Sequence, residues 1–151
     1  MAAEIGDVIE GFELKDQDGE AVSLKDLRGK RVLLSFHPLA WTGVCTKQMK
    51  ALEEAMDRFD SMGVVPLGIS VDAVPCKKAW AEDMGLKRLR ILSDFWPHGD
   101  VARKADIFID KLGFSGRGNI ALDGEGRVIL RKIYDIPQLP DLEEVLAELS
   151  D

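Results

Sequence analysis

Two near-continuous apolar runs, Arg31-Val32-Leu33-Leu34-Ser35-Phe36 and Val64-Val65-Pro66-Leu67-Gly68-Ile69-Ser70-Val71-Asp72, stand on either side of one amphipathic stretch, which limits the folds open to the chain. Apolar runs of this length without polar alternation read as buried strands. Between them Cys45, Met49, Leu52, Met56, Phe59 and Met62 recur at steps of three and four, predicting a helix from Thr42 to Met62 closed by Gly63. A helical crossover makes the two strands parallel neighbours, with their carboxyl ends on one sheet edge, where ligand sites form in open α/β sheets. Pro66 fits the second run poorly, because it lacks a ladder donor and belongs at a strand start or an edge.

The flanking segments extend this core. Phe12-Glu13-Leu14 and Ala21-Val22-Ser23-Leu24 flank Asp16-Gln17-Asp18-Gly19, an N-terminal β-hairpin. Pro75 suits the first position of a helix running through Trp80 and Met84 to Gly85, Arg90 to Ser93 is a short strand, and Pro97 to Ala105 a short helix. Asn119 to Leu122 and Arg127 to Arg131 form a second hairpin around Asp123-Gly124-Glu125-Gly126, and Leu142, Val145, Leu146 and Leu149 give the last helix its apolar stripe. The expected class is α/β, a central mixed β-sheet with helices on both faces and an N-terminal β-hairpin. At 151 residues, without a linker or an internal repeat, residues 1–151 are expected to form a single domain.

The net charge of −7 favours solubility and disfavours nucleic acid as a partner. Met1-Ala2-Ala3-Glu4 begins no basic-then-apolar signal, and no run approaches ~18 apolar residues, so neither secretion nor a membrane span is expected. Two cysteines in an otherwise cysteine-poor chain fit a reducing, cytoplasmic compartment.

The chemistry is expected in Phe36-His37-Pro38-Leu39-Ala40-Trp41-Thr42-Gly43-Val44-Cys45-Thr46, where the first buried strand runs into the helix. Pro38 ends the strand, Thr42 is the natural N-cap and Cys45 is the third helical residue. A thiol there meets free backbone N–H groups and the positive end of the helix macrodipole, both of which favour the thiolate. The other reading is a buried structural cysteine behaving as a small hydrophobe. Position in the helix does not choose between them.

Pro38-x-x-x-Thr42-x-x-Cys45, following a buried strand and opening a helix, matches the active-site pattern of the peroxiredoxins. From about Gly6 to the C-terminal helix the chain resembles that family, in a short form without a C-terminal arm. The resemblance implies a thioredoxin-like fold. It also implies a thiol-dependent peroxidase that reduces hydrogen peroxide and organic hydroperoxides through a cysteine sulfenic acid, with no cofactor and no metal. Thr42 occupies the place of the second cysteine of the thioredoxins, so exchange of the CxxC kind is disfavoured.

By the same resemblance Cys45 attacks the peroxide, the Thr42 hydroxyl touches thiolate and peroxide, and Pro38 shields the thiolate from water. Arg117, in Gly113-Phe114-Ser115-Gly116-Arg117 just before a strand, matches the family's second-site arginine; its other reading is a surface arginine. His37 and His98 read as structural, and Trp41 and Trp96 as packing residues or pocket walls.

Cys76 is the candidate resolving cysteine, 31 positions after Cys45 (76 − 45) and in the first turn of the next helix, where its thiolate is expected to be favoured. It lies about a turn before the place, near Trp80 and Ala81, from which relatives resolve on this helix. A disulfide also needs Cα atoms within ~7 Å. A one-cysteine enzyme with Cys76 a bystander stands beside that reading. The implied partners are a hydroperoxide and a thioredoxin-like or other thiol reductant, with the protein a monomer or homodimer. The competing function is a redox sensor or chaperone-like binding module with little turnover.

Overall fold

The computed structural model describes residues 3–150. Along the chain come β1 (Glu13–Lys15), β2 (Ala21–Ser23), β3 (Arg31–Phe36), α1 (Gly43–Glu54), α2 (Met56–Ser61), β4 (Val64–Ser70) and α3 (Val74–Met84). There follow β5 (Arg90–Ser93), α4 (Asp100–Lys104), β6 (Phe108–Ile109), β7 (Phe114–Ser115), β8 (Arg117–Leu122), β9 (Val128–Tyr134) and α5 (Leu142–Leu149). Seven strands form one mixed sheet in the order β2-β1-β5-β4-β3-β8-β9, and β6 and β7 pair separately. The parallel pair β3–β4 is in register from Arg31–Val64 to Phe36–Ile69, so both strands end at one edge, as their apolar runs predict.

Period-two alternation of each strand splits the core into two layers. Leu33, Ile91, Ala121 and Leu130 face α1, α2, α3 and α5, burying Met49, Phe59, Trp80, Val145 and Leu149. Val32, Leu34, Phe36, Ile69 and Ile120 face α4 and the N-terminal segment, against Phe12, Val101 and Ala105. Helices therefore cover both faces. Among the described residues no helix is long and apolar enough to cross a membrane.

Pro66 lies inside a central strand, yet no ladder bond is lost. Gly63 and Ile69 accept from Arg31 on β3 and from His37 just past its end, so odd positions of β4 bond to β3 and even positions face β5. β5 begins only at Arg90, opposite Leu67, beyond the point that Pro66 reaches. Gly68, two residues on, marks a close approach. A Cβ there stands 2.5 Å from Met49 Sδ on α1 and 3.0 Å from Ile91 Cγ2. Gly68→Ala is expected to overpack this contact and cost about 1–3 kcal/mol of stability, read by denaturant unfolding.

Local boundaries differ from the sequence reading in four places. The helix expected from Thr42 to Met62 breaks at Ala55, whose N–H is shared between Ala51 O and Leu52 O at 3.2 and 3.1 Å. Met56 and Phe59 stay buried across the break, so the apolar spacing carries no sign of it. Pro75 is the second residue of α3, behind Val74. The helix expected from Pro97 starts at Asp100, after Gly99 at φ 71°; the buried Asp94 caps it by accepting from Val101 and Ala102 N–H, both at 3.0 Å. Burial nonetheless pushes the Asp94 carboxyl up to about 6. Arg117 is the first residue of β8, paired with Tyr134, and does not sit in a loop before the strand.

Candidate active site

Cys45 is the third residue of α1 and has 0% exposure. Its sulfur receives an N–H from Arg117 Nη1 at 3.3 Å. β8 delivers that guanidinium because it pairs antiparallel with β3, and its first residue falls level with the end of β3, where the chain turns into α1. Arg117 is itself 2% exposed. Its Nη1 also donates to Gln48 Oε1 at 2.7 Å and its Nε to Ile136 O at 2.8 Å. Gln48 is held in turn, its Nε2 donating to Ser35 Oγ at 2.7 Å and to Phe36 O at 3.2 Å. The guanidinium is thus fixed at both ends, with the sulfur on one of its donors.

Thr42 occupies the N-cap position in extended backbone, but its hydroxyl donates to Leu39 O at 2.7 Å and caps no N–H of α1. Its carbonyl receives both the N–H and the hydroxyl of Thr46, at 2.9 and 2.8 Å. Pro38 is buried between His37 and Leu39. The loop is pinned by Ala40 N–H donating to Asp72 Oδ2 at 2.8 Å, an oxygen that also accepts from Ser70 Oγ. Trp41, at φ 70° and 51% exposed, stands on the surface of the loop before α1; Trp96, 80% exposed, borders a surface cavity of about 480 Å³ with Phe95 and Pro75. Neither packs in the core.

Cys76 and Cys45 are both free thiols, and Cys76 packs at the margin of the core layer that holds Cys45. Its Sγ–H points to Asp72 Oδ1 at 3.9 Å. Here the expectation of a favoured thiolate is corrected. Burial first, then the Asp72 charge, push the Cys76 thiol up, and the Trp41 indole N–H and Lys77 offset this only in part.

His98 is exposed and bonded to Gly113 O at 2.7 Å, away from the sulfurs. His37 is fully buried, with Nδ1 3.4 Å from Ser35 O and Nε2 3.1 Å from Lys77 Nζ. Three residues of this neighbourhood escaped the sequence reading: Gln48, Asp72 and Lys77. Gln48 and Lys77 had a signal, since each is a polar residue at an apolar-stripe position, Gln48 three after Cys45 and Lys77 three before Trp80.

The comparisons with known proteins bear on this geometry. The model of the AhpC/TSA family matches residues 5–131. The chain belongs to the AhpC/TSA family, the peroxiredoxins. Alkyl hydroperoxide reductase E of Mycobacterium tuberculosis is 37% identical over 123 residues, 81% of this peroxiredoxin and 80% of the relative. Thioredoxin peroxidase of Echinococcus granulosus is 31% identical over 157 residues, 99% and 81% of the two chains. Among solved structures, peroxidoxin BcpB of M. tuberculosis superposes with a TM-score of 0.85 at 27% identity, covering 98% of this peroxiredoxin and 97% of that chain. The thioredoxin-like fold expected from the resemblance is the fold of these neighbours.

Proposed function

We propose that this thiol-dependent peroxidase uses Cys45 as its peroxide-attacking nucleophile, with Arg117, Thr42 and Pro38 completing the site. The observation that carries the assignment is the Arg117 N–H at 3.3 Å from the Cys45 sulfur. A buried guanidinium whose other bonds go to neutral oxygens favours an anion at that sulfur. The thiolate attacks the near oxygen of a hydroperoxide, the O–O bond breaks, and the leaving oxygen departs as water or alcohol after gaining a proton. Cys45 becomes a sulfenic acid. Donors fixed before the reaction stabilise the charge that builds on the peroxide oxygens.

The substrates are hydrogen peroxide and organic hydroperoxides, as the name of alkyl hydroperoxide reductase E suggests for a relative. The reductant is a thioredoxin-like or other thiol, a reading supported by a relative named thioredoxin peroxidase. The chain acts in the cytoplasm, as one domain, as a monomer or homodimer. Two free thiols support a reducing compartment.

Cys76 is the resolving thiol in this reading. It attacks the sulfenic sulfur, water leaves, and a Cys45–Cys76 disulfide forms for the external thiol to reduce. Because Cys45 is fully covered, resolution requires the first turn of α1 to open. The one-cysteine route has its own support, since burial and Asp72 disfavour the Cys76 thiolate. One equivalent of peroxide followed by peptide mapping decides. A Cys45–Cys76 crosslink is expected; a persistent Cys45 sulfenic acid beside a free Cys76 thiol discards resolution, and an untouched Cys45 discards the whole reading.

A further inference from the structure

Lys77 is a lysine buried inside the fold. Its residue is 0% exposed, it stands in the first turn of α3, where the macrodipole disfavours a cation, and its direct partner is a ring nitrogen. That ring is neutral. Ser35 O can only accept, so His37 Nδ1 carries the hydrogen and Nε2 offers its lone pair to Lys77 Nζ. Burial first, then the Lys77 charge, hold His37 well below its ordinary range. No step of the peroxidase cycle described above uses either group.

Their placement ties them to both cysteines. His37 directly precedes Pro38 in the active-site loop, and Lys77 directly follows Cys76. The Lys77 ammonium lies 5.7 Å from the Trp80 ring centroid, the same ring packs 5.3 Å from that of His37, and its N–H donates to Thr46 Oγ1 at 3.2 Å, one residue past Cys45. The titratable groups around the pair are Asp72 after β4, Cys76 on α3, Cys45 on α1, Asp94 after β5 and, facing His37, Arg117 on β8.

We propose that Lys77, buried against His37 between the two cysteine helices, is a positioning residue for the peroxidase reaction, a cation that supports the Cys45 thiolate through space. The proposal rests on Cys45 being the nucleophile. Burial brings the Lys77 amine down to about 7, while Asp72, Cys76, Cys45 and Asp94 each pull it back up. The coupling is reciprocal: an anion at Cys45 holds the proton on Lys77, and the proton on Lys77 holds the anion at Cys45. Over the neutral range, therefore, the enzyme loses this support as the amine deprotonates.

The test is the second-order rate of Cys45 oxidation by hydrogen peroxide, followed as a function of pH. The wild type is expected to show a falling limb as pH rises past neutrality. Lys77→Met is expected to react ~10-fold more slowly below that limb, as loss of one supporting charge implies, and to lack the limb. Lys77→Arg keeps its charge throughout and should hold the faster rate without the limb. If Lys77→Met does not fold, His37→Phe removes the lone pair that receives the ammonium and should move the limb to lower pH. Stability gives a second readout. An amine lowered from 10.5 to about 7 in the folded state binds its proton more readily when unfolded, so wild-type stability rises with pH across that window. Lys77→Met should therefore be at least as stable as wild type at pH ~7, its advantage narrowing toward pH ~10. A structural role alone predicts a less stable variant with an unchanged rate profile. Wild-type oxidation at Cys45 with identical profiles in the Lys77 and His37 variants overturns the proposal alone; no oxidation at Cys45 overturns the reading beneath it.

Discussion

Arg117→Ala is expected to slow oxidation of Cys45 by peroxide ~100–1000-fold, the scale of removing one oxyanion-hole donor. The size follows from how the guanidinium is held. Nη1 is shared between Cys45 Sγ at 3.3 Å and Gln48 Oε1 at 2.7 Å, while Nε is fixed on Ile136 O at 2.8 Å. Each of these partners is neutral until the thiol ionises, so among the described partners of the buried cation the thiolate is the one that supplies a counter-charge. Removal also leaves Gln48 Oε1 and Ile136 O without this donor, at a cost of about 1–3 kcal/mol for each left unsatisfied, so the variant is expected to fold with reduced stability. Arg117→Lys separates charge from geometry. A lysine brings a point charge but no planar fork to span Ile136, Gln48 and the sulfur, and it should recover only part of the rate. The measurement is the rate of the chemical step at fixed pH, with folding checked by circular dichroism. An unchanged rate would return Arg117 to a packing role.

The sheet was legible because the signals that define it are local. Arg31–Phe36 and Val64–Asp72 are apolar on both faces, which reflects two covering layers, and one intervening helix suffices to make them parallel. Pro38, Thr42 and Cys45 were legible because they sit together along the chain, whereas Arg117 lies 72 residues from Cys45 and was reached through family resemblance. What escaped was the long-range polar packing. Gln48 occupies the same helical stripe as Cys45, Met49 and Leu52, and Lys77 the same stripe as Trp80, Ala81 and Met84. Both are buried on the face where apolar residues were expected. A polar residue inside an apolar stripe marks a position whose partner comes from another element, but the sequence does not say which. Arg117 answers Gln48, and His37 answers Lys77. Cys76 shows the same limit from the other side. Its first-turn position favours a thiolate, and only the tertiary arrangement brings the Asp72 carboxylate that opposes it.

Cys45→Ser should remove peroxidase turnover altogether. Serine nearly preserves the side-chain volume and leaves Arg117, Gln48 and the start of α1 in place, so the variant keeps the surroundings of residue 45 and loses the nucleophile. A serine hydroxyl does not ionise near neutral pH, and it is not oxidised by peroxide as a thiolate is. Cys76 does not replace it, because its thiol lies against a carboxylate where Cys45 has a guanidinium. The most direct measurement is peroxide consumption with excess thiol reductant, run side by side on the wild type, Cys45→Ser and Cys76→Ser. Sustained turnover is expected for the wild type, an unchanged first oxidation step for Cys76→Ser, and only the uncatalysed background for Cys45→Ser. Equal consumption by the wild type and Cys45→Ser would contradict it.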